Sequence, residues 1–173
     1  MKLRQMTVAF LVNEEQEVLF LQKKIQDTFF AGFLVPIGGH MEANEINDPQ
    51  KACIREIEEE TGLKRECINN LELRYIVHRV KNNQEIRIQY VYFGTISKSS
   101  KLIESEEGSL TWIKYKEIVN QHVSATTNEI VKHFYDLGKS TEKVYVGSMN
   151  SLNGNPQINW GVLEDWEAPI FIK

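Results

Sequence analysis

Cysteine is scarce in this chain, two in 173 residues, at Cys53 and Cys67. There is no Cys-x-x-Cys and no paired Cys/His cluster, which excludes a disulfide scaffold and a thiolate zinc site. Long apolar runs are lacking too. No segment approaches the roughly 20 apolar residues of a membrane-spanning helix. Residues 8–12 form a short apolar run between Lys2 and Arg4 on one side and Glu14-Glu15 on the other. That run is too short for a signal-peptide core and lacks a small-residue cleavage site, so it reads as a strand and the chain as cytoplasmic. Excess positive charge is also missing. A net charge of −4 and a pI near 5.6 argue against a dedicated nucleic-acid surface. No internal repeat or low-complexity tract occurs. What is left is a globular composition, 42% apolar and 25% charged, at a length that makes one domain with a full core.

The densest feature present is Arg55-Glu56-Ile57-Glu58-Glu59-Glu60-Thr61-Gly62-Leu63, which packs four glutamates and an arginine into six residues. Asp48-Pro49 ahead of it is a helix start, with Asp as N-cap and Pro at the first helical position. Gly62 is a left-handed stop. On a 3.6-residue period Glu56, Glu59 and Glu60 share one face and Glu58 points away. Carboxylates so close repel unless something positive lies between them. Hard oxygen ligands in that arrangement suit a divalent cation, Mg²⁺ above all, with Mn²⁺ as its substitute. Gly38-Gly39 upstream lets backbone carbonyls approach such a cation closely. An acidic protein that binds polyphosphate needs cations between the two.

Strand patterns surround this helix. Residues 6–12 and 18–23 are β-rich and joined by a hairpin turn over residues 13–17. Residues 25–33 read as a loop carrying Phe29 and Phe30, which leads through residues 34–37 to the glycines. Residues 71–80 alternate, placing Leu71, Leu73, Tyr75 and Val77 on one face. Residues 85–96 place Ile86, Ile88, Tyr90 and Tyr92 on one face, with Asn82-Asn83 as the turn between the two strands. A short strand at 110–113 follows an acidic loop at 104–107. A second helix is expected over 128–137, stopped by Gly138. Residues 144–149 read as a strand, 150–156 as turn, and Trp160, Trp166 and Phe171 follow. The order predicts an α+β fold with a mixed sheet and helices on both sides.

Gly39, five residues, Glu45, then Arg55-Glu56-Ile57-x-Glu59-Glu60-x-Gly62-Leu63 resembles the Nudix box. The match spans about 25 residues directly and, through the element order, roughly the first 140. The resemblance implies a Nudix-type α/β/α sandwich over 1–140, plus a C-terminal β/turn-rich extension over 141–173, packed on the same domain or at a homodimer interface. It implies Mg²⁺-dependent hydrolysis of a nucleoside diphosphate linked to another moiety. Gly39, Glu56, Glu59, Glu60 and Glu107 are the implied metal residues, and Arg55 orients and neutralises a box glutamate. Glu59 and a glutamate of the 104–107 loop, Glu107 for preference, are the candidate general bases.

The family pattern departs here at one point. Nine residues separate Glu45 from Arg55 where the family has seven, and the surplus falls at Ile46-Asn47 in the loop. Two places stay open for Glu45, its family role beside the box arginine or a displaced one. No proline occurs from residue 50 to 155, so the signatures of the ADP-ribose and NADH branches are absent. The layout is similar to the MutT-like branch, which cleaves nucleoside 5′-triphosphates, including oxidised purines such as 8-oxo-dGTP, to monophosphate and pyrophosphate. A small nucleotide is the expected substrate, with no nucleic acid and no membrane. The alternatives are a catalytically silent nucleotide- or partner-binding module and a hydrolase of dinucleoside polyphosphates or nucleotide sugars.

Overall fold

In this computed structural model residues 1–24 and 32–165 are described. The strands are β1 (Lys2–Val12), β2 (Glu17–Lys23), β3 (Leu34–Pro36), β4 (Asn69–Lys81), β5 (Glu85–Thr95), β6 (Gly108–Lys114), β7 (Val144–Leu152) and β8 (Asn155–Leu163). Two α-helices, α1 (Pro49–Thr61) and α2 (Ala125–Asp136), lie among them. The strands form one mixed sheet in the order β3-β2-β1-β5-β4-β7-β8, with β6 on the other side of β2. β1 runs parallel to β5 along its whole length, from Lys2 opposite Glu85 to Val12 opposite Thr95.

Period-2 alternation along β1 and β2 builds two cores. Phe10, Phe20, Val91 and Phe93 face α2 through Ile130, Val131 and Phe134. Ala9, Leu11, Leu19, Leu21 and Tyr92 face α1 through Cys53 and Ile57. The sheet therefore lies between the helices, as the Nudix-type sandwich requires. Cys53 is buried in the second core and Cys67 is exposed, and both are free thiols.

The helix signals at α1 act as expected. Asp48 accepts the Lys51 N–H at 3.1 Å, Pro49 opens the helix, and Gly62 closes it at φ 72° with its N–H on the Glu58 carbonyl. At α2 the start is earlier than residue 128, because Ser124 is the cap and accepts the Thr127 N–H at 3.1 Å. Leu137, not Gly138, ends that helix, and Gly138 opens the following 3-10 turn.

One expectation about β4 fails, with consequences for the site. Leu73 pairs with Tyr92 but Tyr75 pairs with Val91, so a bulge inserts an extra residue between them. Leu71 and Leu73 face α1, whereas Tyr75 and Val77 face α2. The four residues do not share a face, and everything beyond the bulge is turned over.

β3 and β8 escaped the sequence patterns. β3 is three residues long and ends in Pro36, while β8 carries Pro156 and Gly161, residues depleted in strands. With β7, β8 extends the sheet beyond β4, Tyr75 opposite Tyr145 in parallel register. Trp160 packs against Tyr75, centroids 5.0 Å apart, and against His133 at 4.7 Å. Phe29, Phe30, Trp166 and Phe171 lie outside the described residues.

Candidate active site

Backbone hydrogen bonding holds the glycine loop in place. Thr7 N–H donates to the Gly39 carbonyl at 2.9 Å, Ala9 N–H to Ile37 at 2.7 Å, and Met41 N–H to Gln5 at 3.1 Å. The loop is thus laced to the edge of β1. A Cβ at Gly38, whose φ is 140°, would stand 2.2 Å from the Thr7 carbonyl oxygen, so only glycine fits there. At Gly39 a Cβ would stand 2.6 Å from Glu56 Oε2. The bare backbone is what lets loop and carboxylate touch.

Arg55 organises the acidic face of α1. Its Nε and Nη2 donate to the two carboxylate oxygens of Glu45, each at 2.9 Å. Nη1 donates to Glu56 Oε1 and to Glu59 Oε2, both at 2.9 Å, and Nη2 also reaches the His40 carbonyl at 3.1 Å. Of the three crowded carboxylates, Arg55 neutralises Glu56 and Glu59, while Glu60 accepts from the Gly38 N–H instead. Glu58 points away, exposed, and pairs with Lys64.

The two-residue surplus does not displace Glu45. Residues 43–45 turn as a 3-10 helix, Glu45 accepts the Glu42 N–H at 3.0 Å, and the extra residues are spent before the Asp48 cap. Glu45 is 2% exposed and holds Arg55 bidentately. The guanidinium holds its carboxyl down at about 2.

Burial sorts the remaining carboxylates. Glu60 is 4% exposed, accepts the Gly38 N–H at 2.9 Å, and is pushed up to about 7, chiefly by desolvation. Glu56 is also raised by desolvation, against the pull of Arg55. Glu59 stays open to solvent. A cation beside Glu56 and Glu60 would offset the desolvation that raises them.

Gly38, Gly39, Arg55, Glu56, Glu59, Glu60 and Glu107 line one cleft of about 730 Å³ together, and Glu45 lies outside it behind Arg55. Glu107 enters from the loop before β6 and is ion-paired with Lys23 of β2. Glu104 and Glu106 line a separate hollow, and Glu104 accepts the Leu110 N–H at 3.0 Å. Among the described residues no three acidic, histidine or cysteine side chains already stand at ligating separation. Arg55 holds Glu56 and Glu59 in this arrangement. The donors nevertheless fit a hard divalent ion in kind, all of them oxygen and the deepest disfavouring free charge.

Lys23 was not anticipated from the sequence, nor were the Arg79, Lys81, Arg87 and Gln89 that line the far wall. The β4 bulge hid Arg79 and Lys81 by reversing the face to which they belong. Arg79 and Arg87 stand opposite one another because the turn spans residues 82–84 and each arginine is four residues from Asn83, whereas a two-residue Asn82-Asn83 turn would set Arg79 opposite Ile86.

A family model described as the NUDIX domain matches residues 2–136. Among solved structures, the chain is similar to a mutator MutT protein from Bacillus halodurans at 24% identity, covering 92% of this chain and 97% of that one, with TM-score 0.64. It is similar to a MutT protein from Methanosarcina mazei Go1 at 19% identity, covering 80% and 96%, with TM-score 0.66. A C. elegans Ap4A hydrolase in a binary complex matches at 16% identity, covering 82% and 100%, with TM-score 0.61. At such identities the structural likeness establishes the fold alone.

Proposed function

From the premise that the chain belongs to the Nudix hydrolase family, we propose that its cleft hydrolyses nucleoside 5′-triphosphates to monophosphate and pyrophosphate with Mg²⁺. Membership makes the chain a hydrolase of pyrophosphate bonds in nucleoside diphosphate-linked substrates. The narrower reading rests on one observation: Glu56, Glu59, Glu60 and Glu107 line a single cleft against a glycine loop that leaves room for Glu56. Its volume suits a small molecule rather than a polymer. No described helix is long and apolar enough to cross a membrane, and we place the reaction in the cytoplasm.

Glu56, Glu59, Glu60 and Glu107 would hold the metal, with the carbonyl side of Gly39 beside them. Held by these residues, Mg²⁺ would supply charge neutralisation for the phosphates and activation of a water near neutral pH. Arg55 keeps Glu56 and Glu59 directed into the cleft while Glu45 anchors Arg55 from behind. The Gly38 N–H fixes the carboxylate of Glu60. In the reaction, water oxygen bonds to phosphorus, the anhydride P–O bond breaks, and its electron pair leaves on pyrophosphate. The water's proton goes to an exposed carboxylate of the cleft, Glu59 or Glu107. Lys23, paired with Glu107, offsets the charge there.

A product assay on a nucleotide panel with Mg²⁺ or Mn²⁺ tests this reading. The panel includes oxidised purine triphosphates, dinucleoside polyphosphates, ADP-ribose and nucleotide sugars. Metal-dependent release of a monophosphate is expected, lowered about 10²- to 10⁴-fold in Glu59→Gln. Glu107→Gln should lower turnover more than Glu106→Gln, and equal small effects would remove Glu107 from the machinery. No turnover on any member, with metal-independent nucleotide binding, would make the chain a silent binding module. The retention of Glu56, Glu59 and Glu60 together speaks against that outcome.

A further inference from the structure

The far wall of the cleft carries an arrangement that hydrolysis of the anhydride does not use. Parallel pairing of β1 with β5 and antiparallel pairing of β5 with β4 set Arg4, Arg87 and Arg79 side by side across three strands. In the next row outward, Lys2, Glu85 and Lys81 are neighbours in the same way. The alternation that turns Val8, Phe10, Val91 and Phe93 toward α2, together with the β4 bulge, puts both rows on the α2 face. Five cations thus surround one carboxylate. Glu85 is shared, accepting from Arg4 Nε at 2.7 Å and pairing also with Arg87.

Like charges directly opposite one another on a sheet destabilise it, so this grid stands against the fold's own interest. One further atom marks the same place. Arg79 Nε, a donor, is buried without a hydrogen-bond partner among the described residues, and its side chain lines the cleft. Buried polar groups left so are unusual in a folded protein and call for an explanation. The grid also joins the acidic end directly. Arg4 Nη1 lies 3.1 Å from His40 Nε2, and the His40 carbonyl accepts from Arg55. Burial and Arg4 hold the imidazole below its ordinary value, which favours the neutral ring between the two arginines.

We propose that the Arg79–Arg87 wall binds a further phosphate of the substrate, beyond the diphosphate served by Glu56, Glu59 and Glu60. The inference rests on the hydrolase reading of the acidic end and narrows its substrate class. Planar guanidinium groups match phosphate oxygens bidentately, and Lys81 adds a point charge. The phosphate is either an extension of the polyphosphate chain or a phosphomonoester on the sugar. Both present the same dianionic oxygens to the wall.

Binding in chelator, where metal-dependent turnover stops, separates the cases. Calorimetry compares ADP with ATP, and ADP with its 3′-phosphorylated form. In at least one pair the more phosphorylated member should bind about tenfold tighter, the worth of one charge-assisted contact. The pair that discriminates identifies the source of the phosphate. In Arg79→Gln the preference should fall to about twofold, and Arg79→Lys should recover part of it. Because Arg79→Gln removes a like-charge neighbour, its melting temperature should equal or exceed that of the parent, so loss of binding is not loss of fold. Equal affinities within both pairs, or a preference that survives Arg79→Gln, would overturn the proposal. Turnover in Mg²⁺ without such a preference would sink the wall and leave the hydrolase standing. Preference without turnover would do the reverse.

Discussion

At Gly39 one missing methyl group decides whether loop and helix can share a site. The backbone there is ordinary in φ, so alanine brings no conformational strain, only a Cβ 2.6 Å from the Glu56 carboxylate. Something must move, and the side-chain carboxylate moves more easily than a loop laced to β1. We expect Gly39→Ala to fold, by circular dichroism and a melting temperature within a few degrees, yet to lose about 10²-fold in kcat/KM through misplacement of Glu56. A variant with full activity would show that Glu56 need not stand where it does. Glu45 supplies a prediction in pH. Arg55 depresses its carboxyl from 4.5 to about 2, so the folded state binds fewer protons at this group than the unfolded chain. Its stabilising contribution is complete above pH 4.5 and is lost as pH falls toward 2. The gap in melting temperature between the wild type and Glu45→Gln should therefore be constant above that window and shrink through it. A gap that widens in acid would contradict the Glu45–Arg55 pairing.

At the scale of elements, α1 is the part of the molecule most fully legible in its sequence. Its start, stop and inward carboxylate face depend on local chemistry, on an Asp cap, a Pro, a Gly and a 3.6-residue period. Asp48→Ala removes the cap of the helix that carries the acidic face. It should cost about 1 kcal/mol in denaturant unfolding, with kcat reduced far less than by any change at Glu59. A loss of several kcal/mol would mean that the cap does more than close the first turn. The strands were legible as strands but not in their facing. The bulge between Leu73 and Tyr75 is a property of the β4–β5 pairing, and no period-2 count along β4 alone contains it. For that reason the facing of Arg79 and Lys81 is hidden in the sequence, whereas the shared face of Glu56, Glu59 and Glu60 follows from their spacing. Position 45 shows the same contrast. A count of residues in the loop left it open, and only the path of the 3-10 turn brought it back beneath Arg55.

At the scale of the whole molecule, the family-matched region and the β7–β8 hairpin depend on one another through Tyr75. That side chain is fully buried between Phe93, Tyr145 and Trp160, and its hydroxyl lies 3.1 Å from His133 Nδ1. β4 thus contributes Tyr75 to a core that the family-matched region and the β7–β8 hairpin build jointly. Of the two placements expected for residues 141–173, we favour for the described part, residues 141–165, the one that makes it part of the same cooperative unit. Trp160→Ala should then lower the stability of the entire chain by about 2 kcal/mol or more. Unfolding should stay a single transition with the m-value unchanged. The effect should be independent of protein concentration, which separates packing within the chain from packing between copies. An early transition confined to the tail, with the remainder melting as in the wild type, would instead make β7 and β8 an appendage. In the cooperative case the cationic wall is held from both sides, by β1 and β5 and by the hairpin that buttresses β4. Loosening Trp160 should accordingly weaken the Arg79-dependent preference for the extra phosphate before it reduces the metal-dependent step, because β7 pairs directly with β4 whereas α1 is seated on the core of β1 and β2.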